Sequence, residues 1–327
     1  MTVGKQLKVG EEKLVYTSFL EKDGIQVSRS PWGPEDEIGR LNWITPESRR
    51  AIVERLDGAR MVDLSVDHFV GMPSWASSGD PQYQVWMTCT PMGMGNGTRG
   101  SDFAPVAERH SLSVDSVSMN THCGTHIDAL NHVGYYGRIW NGWSASEHIG
   151  SRGWMKAGVD KYPPIVARGV LLDIASLHGV DCLPDSHPIG PDEIQAAARR
   201  HKVELRRGDV IVIRTGRMTI WPDFHGYLDN PPGITLAGAR YLCEEAGAMC
   251  VGADSIALEV LPAQEPDAML PVHSYMFATA GTPIIEMLDL EALARAKLHE
   301  FAFLGFPIRL RGATGAPMRS AAVALRD

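Results

Sequence analysis

Asp209-Val210-Ile211-Val212-Ile213-Arg214 is an unbroken run of β-branched side chains between two charged ends. No polar residue alternates with the apolar ones, so a strand built from it must be covered on both faces. Similar runs recur upstream as Gly169-Val170-Leu171-Leu172-Asp173-Ile174 and downstream as Phe301-Ala302-Phe303-Leu304-Gly305-Phe306, and residues 61–66 give a fourth. Between them the apolar spacing changes to that of helices, over residues 191–201, 236–246 and 288–299. Farther upstream, Thr45-Pro46-Glu47-Ser48 opens another helix. Threonine caps it, proline suits its first position, and the acid sits at the positive end of the dipole. Ala51, Ile52 and Leu56 are expected on its buried side. Strand and helix alternate through the C-terminal two thirds, which predicts an α/β fold.

No internal repeat or linker interrupts the chain, so residues 1–327 are expected to form a single domain with residues 1–60 as an N-terminal extension. The first thirty or so residues are polar and are expected to wrap the outside or touch a partner subunit. Residues 69–109, rich in Gly, Pro, Met and Ser, read as long loops of the kind that often carry function.

With 44% hydrophobic residues over 327 positions, the chain has enough apolar material for a large core. The formal net charge of −8 argues against nucleic acid or an anionic membrane as partner, since both require a basic face. The 5 cysteines contain no Cys-x-x-Cys pair, so a disulfide framework or thiolate zinc site is not expected and a reducing, cytoplasmic compartment fits. No apolar stretch reaches the length of a membrane span.

The chemistry is concentrated in His122-Cys123-Gly124-Thr125-His126-Ile127-Asp128-Ala129-Leu130-Asn131-His132. Three imidazoles and a carboxylate in eleven positions suit Zn²⁺, Mn²⁺ or Fe²⁺, where an all-oxygen set would suit Ca²⁺ or Mg²⁺. His126 and Asp128 are two apart, so in an extended backbone they face the same side. Gly124 permits a sharp turn that returns His122 toward them. The segment therefore belongs on a loop or strand end, not inside a helix. Cys123 lacks a thiolate-activating context and reads as a small buried residue.

The pattern His-x-Gly-Thr-His-x-Asp-x-x-x-His resembles the signature of the cyclase family, which includes bacterial kynurenine formamidase and isatin hydrolase. The likeness runs from about Asp63 to the C-terminus. It takes in Met61-Val-Asp-Leu-Ser65, Gly71-Met-Pro-Ser-Trp75, Arg168–Asp173, Gly208–Gly216, Gly252-Ala-Asp254 and Pro271-Val-His273 with Glu286 beyond. Leu130 stands where short members carry proline. The N-terminal extension and an insertion between Trp75 and His122 are typical of the longer branch, so a formamidase assignment does not follow. The resemblance implies a swivelling β/β/α architecture with a mixed, barrel-like central sheet, and a homodimeric or homotetrameric assembly.

It further implies that His122, His126 and Asp128 bind a divalent metal, Zn²⁺ or Mn²⁺, with His273 and Glu286 as later ligands. His132 is implied as the proton shuttle, and Glu286 as the base if His132 were itself a ligand. Trp75 is expected to wall the substrate pocket, and Trp86, Tyr135 and Trp140 are vaguer candidates of the same kind. Each has an ordinary alternative: Glu286 as a surface acid, Trp75 as a cover for the core. His68, His110, His148, His178 and His225 receive no role. The expected activity is hydrolysis of a small amide, lactam, imide or lactone by metal-activated water. A metal-dependent lyase or dehydratase acting through an enolate is the alternative, and a non-catalytic small-molecule binder of the same fold is a third reading.

Overall fold

The computed structural model describes residues 14, 16–22, 25–75, 79–90, 112–265 and 268–326. His110 and the whole segment between Thr90 and Leu112 lie outside these. The central sheet contains β1 (Leu56–Asp63), β2 (His126–Asp128), β3 (Ile165–Asp173), β4 (Val210–Arg214), β5 (Cys250–Ala253), β6 (Ile284–Glu286), β7 (Glu300–Pro307) and β8 (Gly315–Leu325). Their hydrogen-bonded order is β7-β3-β4-β5-β6-β2-β8-β1, and β8 also pairs with β7. That pairing closes seven strands into a barrel and leaves β1 hung on β8. β3, β4, β5 and β6 run parallel, β2 and β7 join the two ends of that group antiparallel, and β8 pairs antiparallel with both β2 and β7. The mixed, barrel-like sheet implied by the resemblance is therefore present.

The run that opened the sequence reading lies where its composition places it. Val210, Ile211 and Val212 are fully buried on both faces of β4. Burying each such side chain stabilises the fold by about 1.5–3 kcal/mol, and trimming Ile211 to alanine would cost about 2–5 kcal/mol. Helix Pro191–His201 packs outside β3, with Pro191 at its start, Asp192 and Glu193 in its first turn, and Ile194 and Ala197 buried. Among the described residues, no helix is long and apolar enough to cross a membrane.

Several expectations are corrected. The strand expected over residues 61–66 ends at Asp63, whose carboxylate accepts from the Ser65 N–H and turns the chain. The strand also begins earlier, at Leu56, which pairs with Leu325 of β8. On helix Pro46–Val53 only Ile52 is buried; Ala51 is exposed and Leu56 lies in β1. The helix expected over residues 288–299 is shorter, Glu291–Ala296, and ends where Lys297 turns left-handed. The helix expected over 236–246 is a regular turn, Leu236–Arg240, running into a wider one, Tyr241–Glu245.

The stretch read as loops contains a strand, Gln84–Cys89, paired antiparallel with Val114–Ser118. The N-terminal part is pinned to its own chain. Val27 and Leu41 are buried, and the buried Arg40 guanidinium donates to the carbonyls of Cys243, Ala248 and Ala280.

Candidate metal centre

β2 is three residues long and fully buried. Alternation sends Ile127 into the apolar core and turns His126 and Asp128 to one side. Register supplies the rest. Glu286 of β6 stands directly across from His126, and Gly315 of β8 directly across from Asp128. His126 Nε2 lies 3.3 Å from Asp128 Oδ1 and 3.4 Å from Glu286 Oε2.

Gly124 has φ +62°, and a Cβ there would sit 2.5 Å from the His68 ring, so only glycine makes this turn. The turn returns His122, whose Nδ1 lies 2.6 Å from Asp128 Oδ1 and whose Nε2 lies 2.8 Å from Thr314 Oγ1. His132 stacks on His122 with ring centroids 4.1 Å apart. From helix Pro271–Ser274, His273 Nε2 reaches within 3.2 Å of Glu286 Oε1 and 3.8 Å of Asp128 Oδ2. The residues expected at the site, His122, His126, Asp128, His132, His273 and Glu286, are thus brought together.

The donor set fits a cation. His122, Asp128 and His132 form one group, and His126, Asp128 and Glu286 another, with the ligating atoms of each group within 4.8 Å of one another. His126 Nε2 and Asp128 Oδ2 are buried without a hydrogen-bond partner among the described residues. Each such orphan costs about 1–3 kcal/mol, and a divalent ion held by these residues would offset that cost. Tautomers agree. His126 Nδ1 donates to the Gly124 carbonyl at 2.8 Å, which turns Nε2 toward the cluster. His273 Nδ1 lies 2.5 Å from Glu259 Oε1, which turns its Nε2 inward in the same way.

Glu259 carried no signal in the sequence. It is buried, lies in an irregular stretch, and meets His273 only through the tertiary fold. Thr314, which holds His122, was invisible for the same reason.

Burial opposes charge throughout the cluster, and neighbours decide each outcome. At His126 the Asp128 and Glu286 carboxylates outweigh burial and push the imidazole up to about 10. At Asp128 burial is overcome by His122 and His132, which hold the carboxyl well below its usual range. At His132 burial outweighs the pull of Asp128, and with the neighbouring imidazoles brings the ring down to about 3. His132 is therefore neutral near pH 7.

The remaining candidates separate. Trp75 packs half-buried on an apolar cluster that includes Met218, Tyr227, Ile256 and Met287, the last adjacent to Glu286. Tyr135 lies beside Ser274, next to His273, and burial pushes its phenol up to about 12. Trp140 is not a pocket wall: it is fully buried and donates to Asp36 at 2.9 Å. Trp86 is exposed on the Gln84–Cys89 hairpin. Cys123 is buried, and its thiol is pushed up to about 11 by burial, as suits a packed residue. His68 Nε2 lies 3.0 Å from the Cys123 carbonyl and buttresses the turn. A cavity lined by Tyr16, Arg40, Trp43, Arg207 and Tyr275 shares none of the cluster's residues.

The chain is similar to known proteins over most of its length. The Cyclase family model matches residues 62–260. Cyclase-like protein 3 of Oryza sativa subsp. japonica is 25% identical over 285 residues, covering 84% of this chain and 82% of that protein. A crystal structure described as a novel cyclase superposes with TM-score 0.76 at 27% identity, over 89% of this chain and 97% of the other. Isatin hydrolase A from Ralstonia solanacearum superposes with TM-score 0.61 at 20% identity, over 81% of this chain and 92% of the other.

Proposed function

The chain belongs to the cyclase family, and from that premise we propose that it is a metal-dependent hydrolase of a small amide, lactam, imide or lactone. The observation that carries the reading is the pair of buried orphan atoms, His126 Nε2 and Asp128 Oδ2, inside a ring of four imidazoles and Glu286. His122, His126 and Asp128 are the ligands, and His273 and Glu286 reach the same space from the opposite wall. The structural relative named isatin hydrolase supports a hydrolytic outcome.

When bound, a divalent ion such as Zn²⁺ or Mn²⁺ supplies Lewis acidity toward a carbonyl and lowers the pKa of water. The chain's own residues do the rest. Neutral His132 takes the proton from the attacking water and returns it to the leaving nitrogen or oxygen. Its ring plane is fixed by stacking on His122, whose Nε2 is held by Thr314 so that Nδ1 stays turned toward Asp128 and the centre. Glu259 keeps a proton on His273 Nδ1, so that Nε2 stays available to the centre. Trp75, packed beside Met287, and Tyr135, beside Ser274, are the candidates for the substrate pocket.

The protein is further read as a cytoplasmic homodimer or homotetramer. The Gln84–Cys89/Val114–Ser118 hairpin exposes Val85, Trp86, Met87 and Val117. A two-stranded ribbon is marginal in water without a covering surface, and a second subunit would supply one.

The test is elemental analysis of the purified protein, followed by a metal-supplemented screen of amides and lactones. Any conversion found is repeated in ¹⁸O-labelled water. Hydrolysis puts one solvent oxygen into the product; a product without solvent oxygen moves the assignment to enolate lyase chemistry.

A further inference from the structure

We propose that His178, His187 and Glu193 form a second, surface binding site for a zinc-class divalent cation, separate from the barrel centre. The three side chains come from three different pieces of backbone. His178 ends helix Ile174–His178, immediately before Gly179 turns left-handed. His187 precedes the short strand Pro188–Ile189. Glu193 sits in the first turn of helix Pro191–His201. Their ligating atoms lie within 4.8 Å of one another. His187 Nε2 is 3.0 Å from Glu193 Oε1, His178 Nε2 contacts the same oxygen, and the two rings meet edge to face with centroids 4.9 Å apart.

The backbone beneath the three donors is fixed. Asp173 caps the helix that ends in His178 by accepting from the Ser176 N–H at 3.0 Å. The loop before His187 is tied by Ser186, whose N–H donates to Asn230 and whose hydroxyl donates to Leu261, and by the Asp185–Arg217 ion pair at 2.6 Å. The Gly233 N–H holds the His187 carbonyl at 3.1 Å. Below Glu193, the fully buried Ile194 and Ala197 lock the helix to the core. Little ordering therefore remains to be done on binding, which is the main cost a flexible site would face.

Two imidazoles and one carboxylate are the donor set of Zn²⁺, Co²⁺, Ni²⁺ or Cu²⁺ rather than of Ca²⁺ or Mg²⁺. All three side chains keep part of their surface in solvent, so water completes the coordination shell. The bound ion ties helix Ile174–His178 to helix Pro191–His201 across the outer face of β3 and β4. It acts as a clip on the fold and leaves the chemistry at His132 untouched.

The test is calorimetric titration of chelator-treated full-length protein with Zn²⁺, paired with elemental analysis. Three chains are compared: wild type, His178→Ala/His187→Ala, and His126→Ala. Wild type should take up one equivalent more than the double variant, and His126→Ala should keep that surface equivalent while losing metal at the centre. Glu193→Gln, which preserves shape and helix packing, should weaken the surface equivalent by more than about tenfold, the order that even a supporting group contributes to metal affinity. Zn²⁺ at micromolar free concentration should also raise the unfolding midpoint of His126→Ala but not of a triple variant lacking both surface histidines. Equal stoichiometry in wild type and the double variant, or an unaltered affinity in Glu193→Gln, overturns the proposal. Neither result bears on the central site, so the two assignments fail separately.

Discussion

Replacing Gly315 with alanine is the sharpest small perturbation the centre offers. Gly315 opens β8 opposite Asp128. A Cβ at this position would lie 2.6 Å from His122 Cε1, 2.9 Å from Nδ1 and 3.1 Å from Nε2. The closest of these falls about 0.8 Å short of ordinary van der Waals contact. Gly315 is not among the positive-φ residues, so the backbone accepts alanine and the whole burden falls on the imidazole. That ring is held by Asp128 at 2.6 Å, by Thr314 at 2.8 Å and by the stack on His132 at 4.1 Å, and no retreat preserves all three. Displacing a reacting constellation by close to 1 Å costs about 10²-fold in rate, while overpacking costs the fold about 1–3 kcal/mol. Gly315→Ala should therefore stay folded, with a slightly lowered unfolding midpoint, and turn over any substrate from the screen about 10²-fold more slowly. Steady-state kinetics, metal content and thermal unfolding on one preparation decide it. Wild-type turnover with wild-type metal content would refute the view that His122 must occupy this position.

Further expectations concern the same centre and its surroundings. His126→Ala and Asp128→Ala should lose metal and activity together, whereas His132→Ala should keep its metal and lose about 10²–10⁴-fold in turnover; metal loss from His132→Ala equal to that from His126→Ala makes His132 a ligand and passes the base role to Glu286. Burial, with His299 stacked 4.0 Å away, holds His201 down at about 4 against its ordinary 6.5. The folded chain then binds fewer protons than the unfolded chain between those values. Its stability should fall as pH drops from 6.5 toward 4, and His201→Gln should flatten that slope in unfolding midpoints. Sedimentation should give a dimer or larger, with Trp86→Lys shifted toward smaller species; a wild-type monomer at micromolar concentration would count against the oligomer.

What the sequence made legible follows the range over which each signal acts. β4 and helix Pro191–His201 were readable because periodicity and end residues are local properties of the chain. The two-residue spacing of His126 and Asp128, and the turn at Gly124, were readable for the same reason. β8 was not. Gly315-Ala-Pro-Met-Arg-Ser-Ala-Ala-Val-Ala-Leu325 is rich in alanine and carries a proline, a composition poor in strand preference. It is nonetheless the strand that closes the barrel, because β7, β2 and β1 surround it and bury its small side chains. Trp140 misled in the opposite direction. An aromatic in a glycine-containing loop suggests a pocket wall, yet here it is an anchor for Asp36 and Tyr16 of the N-terminal segment. Glu259 and Thr314 lie far from the histidine motif in sequence, and no spacing rule links them to it.

The barrel's closure explains why the centre sits on so short a strand. β2 contributes only His126, Ile127 and Asp128, too little to hold its own register by packing alone. It is held because β6 pairs with it on one edge and β8 on the other, each residue of β2 facing a partner on both sides. Side chains alternate along a strand, so slipping β2 by one position against either neighbour would carry His126 and Asp128 out of the site and put Ile127 in their place. Two edges must then be wrong at once for the donors to be misplaced. Glu286 benefits from the same pairing, since its position across from His126 is a property of register and not of side-chain contact. The parts of the motif that strand register does not place are His122 and His132, which lie outside β2 on either side. These two are the residues the structure ties down by other means: the Gly124 turn, the Thr314 hydroxyl and the stack between their rings. In a centre built this way the donors keep their places through register and local ties rather than through the surrounding loops.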